Sequence, residues 1–569
     1  PATTQGDSTF GDFSAIAGSS VAENAYYLNG LNMTNFDNYI GSSLVPFEFY
    51  KSVEVKTSAY PAEYGRATGG ILNAVSKSGS NEFTAGVHLN YEPDGLSEQA
   101  PDTFAQRNAL DETEKFSAII EAGGPIIKDH LFFYGLYEIR DNETKNAGIL
   151  SGAQVVDSAD DPFYGFKLDG YITDDHHLEF TFLDTSRQTI RNSYSFDPAT
   201  DTVGTLNGQT YYEDGGESYV GKYTGTLTNW LTVSAAYGIN NDQALIVPGD
   251  TSPYVVDSRG SFGGAVRGTQ TSTEVTNPRE TRREFYRADI DTYFSALGDH
   301  HVRFGYDQEK LDFSRATVYP GADGVVYEYF TATASDPIAN GPGGVAPGSE
   351  YVEASFYQSG GSFYAENTAY YVQDEWQITD RLTLNLGVRL DQFANFNAAN
   401  VQYVDFDDNI GERLGFTFDP MGDGRSKFYG NFGRYFLPVA SNTSYRQGAA
   451  ELYYSEFYTF TNDPLVQAVL GYEYQFNDLW TANVAFVYRD LIKTAEDVAV
   501  DLAVLDLCQQ EGISGCENIW TGFHQYTIIN PGSDATITLS DPLPGETEVR
   551  TVDLSAQALG YPPATRPYQ

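Results

Sequence analysis

A chain of 569 residues is too long for one ordinary hydrophobic core, so it is either several domains or one large closed architecture. Its 33 Lys+Arg stand against 78 Asp+Glu, and a formal net charge of −45 excludes the clustered basic surface that nucleic-acid phosphates require. Cations are the natural counterpart, either as salt around an acid-rich surface or at a dedicated metal site, and solvation alone accounts for the first. Aromatic residues make up 14%, with 42 Tyr and 36 Phe beside 55 Gly, which favours turn-dense strands with aromatic girdles over a helical enzyme. No stretch approaches the roughly 18 consecutive apolar residues of a membrane helix, which leaves a membrane barrel open because barrel strands alternate.

The chain opens with Pro1-Ala2-Thr3-Thr4-Gln5, not with a basic and then apolar leader, so it is either processed or begins late. Residues 1 to 82 lack a hairpin pattern. They carry Tyr26-Tyr27-Leu28-Asn29-Gly30-Leu31-Asn32, then a strand pattern through Val53-Glu54-Val55, then Glu63-Tyr64-Gly65-Arg66-Ala67-Thr68-Gly69-Gly70-Ile71-Leu72-Asn73-Ala74-Val75-Ser76. Gly65, Gly69 and Gly70 permit close backbone approach, and Val53, Val55, Ile71 and Val75 supply a small core, which sets this segment apart from a flexible leader.

From about residue 83 the pattern becomes a meander of hairpins. Leu382, Leu384, Leu386, Val388 and Leu390 fall on one face while Thr383, Asn385, Arg389 and Asp391 fall on the other, a period no helix produces. Phe180 and Phe182 likewise oppose Glu179 and Thr181. One face is oily and the other charged, as at Arg287, Asp289, Asp291, Arg303 and Asp307, so a closed sheet with its apolar face to lipid explains both. Asp374 interrupts an apolar face between Val372 and Trp376, which places that end near an interface. Short turns near 125–130, 173–176, 228–230, 296–300, 378–381, 419–426 and 477–479 alternate with long polar loops, giving about 15 strands up to Arg489. The segment after Asp490 reads mainly as loop, and an odd count cannot close a bacterial barrel, so a further run of strands is expected beyond Gln569.

The run from Glu63 to Gly79 resembles the plug signature of TonB-dependent outer-membrane transporters, in its wording the Oar-like branch. Gly123-Gly124-Pro125-Ile126-Ile127-Lys128-Asp129, Arg413-Leu414-Gly415-Phe416, Gly422-Asp423-Gly424-Arg425 and Tyr488-Arg489-Asp490 extend the likeness to about residue 497. The resemblance implies an all-β membrane protein: a large antiparallel transmembrane barrel of about 22 strands when complete, with an N-terminal α/β plug domain in its lumen. Residues 1–82 would be the plug, N-terminally incomplete, and 83–569 the barrel, C-terminally incomplete. It also implies a bacterial outer-membrane location, outer-membrane lipid and the TonB energy-coupling complex as partners, and an extracellular ligand, with a peptide or protein one guess for it. The alternative it carries is an Oar-like structural, adhesion or secretion-supporting protein without active import.

A wide lumen leaks unless an internal domain blocks it, and a plug that moves is expected to make polar contacts with the charged wall. Glu63 and Arg66, flanking the Gly65 bend, are the candidate latch to wall residues of opposite charge, with a plug-internal ion pair the alternative for Arg66. Asn29, Gly30, Asn32 and Asn35 form the candidate ligand-facing floor, by resemblance. Cys508 and Cys516 are the only cysteines, and an external loop makes a disulfide their default state. His176-His177 and His300-His301 sit in polar turns that need no metal, and no metal site is expected. No cofactor is expected either, although the hard oxygens of Asp405, Asp407 and Asp408 leave calcium open on acidic loops. No phosphate loop and no catalytic grouping emerges, so an enzyme is not expected.

Overall fold

Alternation at period two builds the wall of this protein. In the strand Leu382–Phe396 the side chain of Val388 is 40% exposed on the outer face, while Arg389 beside it has no exposed surface at all. The computed structural model describes residues 3–5, 14–16, 18–250, 252–260, 265–267, 279–319, 324–333, 345–356, 358–448, 465–491, 496–516, 526–529, 534–539 and 542–559. Eighteen strands share one barrel sheet running from Thr84–Glu92 to Trp480–Leu491. Ala153–Ala159, Arg187–Asp197 and Thr202–Gly215 extend their neighbours beyond one end, and the other fifteen cross the wall, the number counted from the sequence up to Arg489. No described helix is long and apolar enough to cross a membrane.

The strand order brings Trp480–Leu491 beside Thr84–Glu92, yet no register of paired residues joins them among the described residues, and both are exposed along most of their length. The pairings that close a ring lie elsewhere, around a break where Thr202–Gly215 passes into Glu217–Thr228. Gly216 sits in that break because a Cβ there would lie 2.5 Å from the carbonyl oxygen of Asn241.

The seven short turns read from the sequence all fall at one end of the wall. Asp419 illustrates how such a turn is made: its carboxylate accepts the backbone N–H of Gly424, Gly422 and Met421 at 2.8, 2.9 and 3.1 Å, which holds its pKa below the usual carboxylate range. Gly422 and Gly424 both take left-handed φ, of 69° and 71°. The histidine pairs belong to an aromatic girdle at this end. His300 stacks between Phe294 and Trp376, with centroids 4.9 and 5.0 Å away, and bonds to Asp374 at 2.8 Å, which accounts for a carboxylate on an otherwise apolar face. His177 stacks on Tyr171 and His301 on Tyr293.

Two sequence expectations fail here. Asp405, Asp407 and Asp408 do not lie in a loop but along the strand Gln402–Phe418, because Asn397 and Asn400 close a tight hairpin turn at 397–401. Among the described residues, the segment after Leu491 is not mainly loop either. An α-helix, Asp501–Glu511, ends on Gly512 in the left-handed region, and the paired strands Ala535–Thr538 and Thr551–Leu554 help enclose a core of Val500, Val504, Cys508, Cys516, Ile537 and Leu554. Cys508 and Cys516 are disulfide-bonded within it. Barrel strands run from Thr84 to Leu491 among the described residues.

The faces make opposite demands on a new charge. Val388→Arg is expected to lower the free energy of folding into phospholipid vesicles by about 2–4 kcal/mol, whereas Thr383→Arg on the lumen face should change it by less than about 1 kcal/mol. Equal losses in urea titrations of the two variants would show that the faces have been assigned wrongly.

Candidate functional site: the plug and its seat in the lumen

Inside the wall, four short strands form a sheet in the order Leu31–Asn32, Ala25–Leu28, Ile71–Ser76, Tyr50–Lys56. Asn29 and Gly30 make the two-residue turn between the first two, with φ of 51° and 88°, as an Asn-Gly pair is suited to do. The central pair is parallel, Ala25 facing Ile71. The plug's helical turns among the described residues are single 3-10 turns, Val21–Glu23 and Phe47–Phe49. The glycine-rich run is explained by close approach. A Cβ on Gly65 would lie 2.3 Å from Nε of Arg389, and one on Gly70 would lie 2.5 Å from Cγ2 of Ile16.

A belt of buried charge fixes this sheet to the wall. Glu63 accepts from Arg303 at 2.6 Å and from Arg287 at 2.9 Å, and these arginines are tied to Asp291 and Asp289. Arg66, in a left-handed conformation with φ of 58°, donates to Asp307 and to the carbonyl of Asn367, and lies 3.4 Å from Glu309. Arg389 donates to Asp307 at 3.0 Å, to Asp391 at 2.8 Å and to the carbonyl of Ala62 at 3.1 Å. Arg283 donates to the carbonyls of Asn32 and Thr34 at 2.6 and 2.8 Å. Burial alone would push the Arg66 guanidinium down, but Asp307 and Glu309 outweigh it and hold its pKa above the ordinary value. The partners of Arg66 are thus wall carboxylates rather than plug residues.

The candidate floor residues are placed less openly. The Asn32 amide is buried and donates to Glu309 at 2.9 Å, and the Asn29 amide bridges Ser76 and Thr181 at 2.7 and 2.9 Å. Asn35 is half-buried, accepting the Asp37 N–H at 2.9 Å, and Gly30 has nothing within 4 Å of an added Cβ. Asn29 and Asn32 serve the seat rather than an open surface, because each donates to a polar side chain of the wall, Thr181 and Glu309.

The expectation of purely polar plug contacts is also corrected. Leu28, Leu31, Met33 and Phe49 pack with wall residues Leu136, Phe163, Leu183, Val220 and Phe285, and Phe36 and Tyr39 with Leu311, Phe313 and Phe363. Small or apolar inward residues flank the charged belt, and the plug fills the space they leave. The connection at 436–448 adds a cover that no sequence pattern signals: Ser441 and Asn442 donate their N–H to the carbonyls of Phe36 and Asp37 at 3.1 and 3.0 Å. Residues 59–63 meanwhile border a cavity of about 430 Å³ whose wall includes Gln373, Asn385, Gly387 and Asn431.

Asp169, His177 and Glu179 lie close enough to share an ion, but Lys167 already occupies the group, its Nζ 2.9 Å from Glu179 and 3.4 Å from Asp169. The same ammonium reaches Ser78 of the plug at 3.0 Å, and Lys77 reaches Glu121 at 2.7 Å, so the end of the plug is tied beside the first strands.

The outer membrane beta barrel domain family matches residues 151–445. The TonB-dependent transporter Oar of Myxococcus xanthus is 27% identical over 516 residues, 75% of this chain and 48% of that protein, so the chain spans about half the length of the curated relative it matches. The outer membrane transporter YddB of Escherichia coli superposes with a TM-score of 0.61 over 94% of this chain and 68% of its own, at 14% identity. A ferric enterobactin receptor (PfeA) mutant of Pseudomonas aeruginosa gives 0.58 over 95% and 74%, also at 14% identity. At such identity these two likenesses show the fold: that of TonB-dependent outer-membrane receptors. The relatives are transporters and receptors, not enzymes.

Removing one partner from a buried pair leaves its counter-charges uncompensated. Arg66→Ala strands Asp307 and Glu309 and is expected to cost about 3–5 kcal/mol of plug seating. Protease protection of residues 18–82 against urea should reveal the loss, and the triple variant Arg66→Met, Asp307→Asn, Glu309→Gln should recover part of it. Protection of the single variant equal to that of the parent protein would remove Arg66 from the latch.

Proposed function

The chain belongs to the outer membrane beta barrel domain family and lies in the bacterial outer membrane, and on that premise we propose that it carries a ligand through the barrel by energised displacement of its plug. The observation behind this reading is the seat of the plug. Its centre is a set of charge pairs made between plug and wall, at Glu63 and Arg66, and these can be exchanged for water once the first contact is broken. A plug meant only to close the lumen gains nothing from burying arginines, since well-packed apolar residues of like volume are as stable or more so. A charge-built seat is specific and reversible. Energy for the displacement comes, in this reading, from the TonB complex on the inner side, and the ligand arrives from the long-loop side. An Oar-like structural, adhesion or secretion-supporting role without import is the outcome if the plug does not move.

Ala62, which has no exposed surface and accepts from Arg389 through its carbonyl, reports that movement. In cells, Ala62→Cys is expected to react with a biotin maleimide several-fold faster when TonB is present and the inner membrane is energised. The native Cys508 and Cys516 are bonded to each other and stay silent. Labelling that is identical in cells lacking TonB would end the importer reading and leave the surface-protein role.

A further inference from the structure

We propose that the small sheet at the long-loop end is a docking edge for an extended, basic segment of another polypeptide, which adds as a fifth strand beside Glu350–Phe356 and sets a cationic side chain against Glu328 and Glu353. This goes beyond the transport reading, and either can fail without the other.

Two separate connections build the sheet. Tyr254–Asp257 and Ala265–Arg267 come from the one after Pro248, and Val325–Thr331 and Glu350–Phe356 from the one after Val318. Their order is Ala265–Arg267, Tyr254–Asp257, Val325–Thr331, Glu350–Phe356, with the two middle strands parallel. One terminal strand, Ala265–Arg267, has three described residues. The other has seven, with Val352 47% and Phe356 67% exposed, and among the described residues no strand pairs beyond it. A row of main-chain donors and acceptors of that length gives an incoming strand its hydrogen bonds whatever its sequence.

The charge pattern says which strand it takes. The register sets Glu328 directly opposite Glu353, an arrangement that repels, and neither carboxylate makes an ion pair among the described residues. Their neighbours are hydroxyls: Ser258 donates to Glu328, and Ser355 to Glu353 at 3.3 Å. The sheet's other two described acids, Asp257 and Glu350, are both met by Arg259, at 2.9 and 2.7 Å. Glu328 lies on the inner strand, so it does not serve to blunt the edge. Two residues along on the same face, Phe330 and Tyr351 stack at 5.4 Å and offer ring surface to the stem or guanidinium of a cation. The net charge of −45 steers a basic chain towards the whole surface, and the opposed pair gives it one place to lodge.

The probe is a fluorescein-labelled octapeptide alternating Lys and Thr, titrated against the detergent-purified protein and followed by fluorescence anisotropy. Saturable binding is expected, absent for the Glu–Thr counterpart. Replacing Glu328→Gln and Glu353→Gln together should weaken it at least about tenfold. N-methylation of alternate peptide nitrogens should abolish binding in one register and spare it in the other, a test that leaves the protein untouched. No saturable binding, or binding that survives both methylated registers and yields only to salt, would overturn the proposal.

Discussion

The fully buried Arg389 sets the terms for the rest of the structure. A guanidinium cannot be withdrawn from water unless its charge and its donors are met, and here Asp307 and Asp391 meet the charge while the carbonyl of Ala62 takes a remaining donor. That one requirement couples three parts of the chain. It links Leu382–Phe396, which carries Arg389 and Asp391, to Asp299–Val318, which carries Asp307, it demands glycine at position 65 where the side chain passes, and it draws the plug segment 62–66 against the wall. Asp307 then serves Arg66 as well, so the charges form a belt rather than isolated pairs, and the loss of any member strands several others.

The belt lies between drier layers. On one side Phe36 and Tyr39 meet Phe313 and Phe363, and on another Phe49 meets Tyr134 and Phe163, so the seat is half core and half ion network. The two halves answer different needs. Apolar contact is non-directional and contributes most of the holding energy, while the ion pairs admit only one orientation of the plug. Displacing such a plug requires breaking both, which is why the segment at 436–448, bonded to the carbonyls of Phe36 and Asp37, links the long-loop side to the plug mechanically.

The wall itself obeys a separate constraint. In lipid every backbone donor and acceptor needs a partner within the sheet, and the register supplies this from strand to strand between Thr84–Glu92 and Trp480–Leu491. At the long-loop end the constraint relaxes, and there the strands split, extend and form the separate sheet of Tyr254–Asp257 and its partners. Between those two edge strands, irregularity is confined to where water can satisfy what the ladder leaves.

Strand number, the two faces of the wall and the alternation of turn lengths were legible in the sequence, because a strand's faces follow from a period of two and need no knowledge of its neighbours. So were Glu63 and Arg66 as charged residues beside a tight bend. Their partners were not: Asp307 lies 241 residues from Arg66 and became its counter-ion only when the wall folded round the plug. Asn29 and Asn32 were placed on a ligand-facing floor by resemblance, and only the packed wall revealed Thr181 and Glu309 opposite them. The apolar residues of the seat were hidden for the same reason, since Leu183 and Phe285 carry no mark that they face a plug rather than lipid. Sequence by itself determined everything whose cause lies within one strand or one turn. Tertiary structure decided which charges are paired and which surfaces are dry, because those depend on neighbours that only the folded wall brings together.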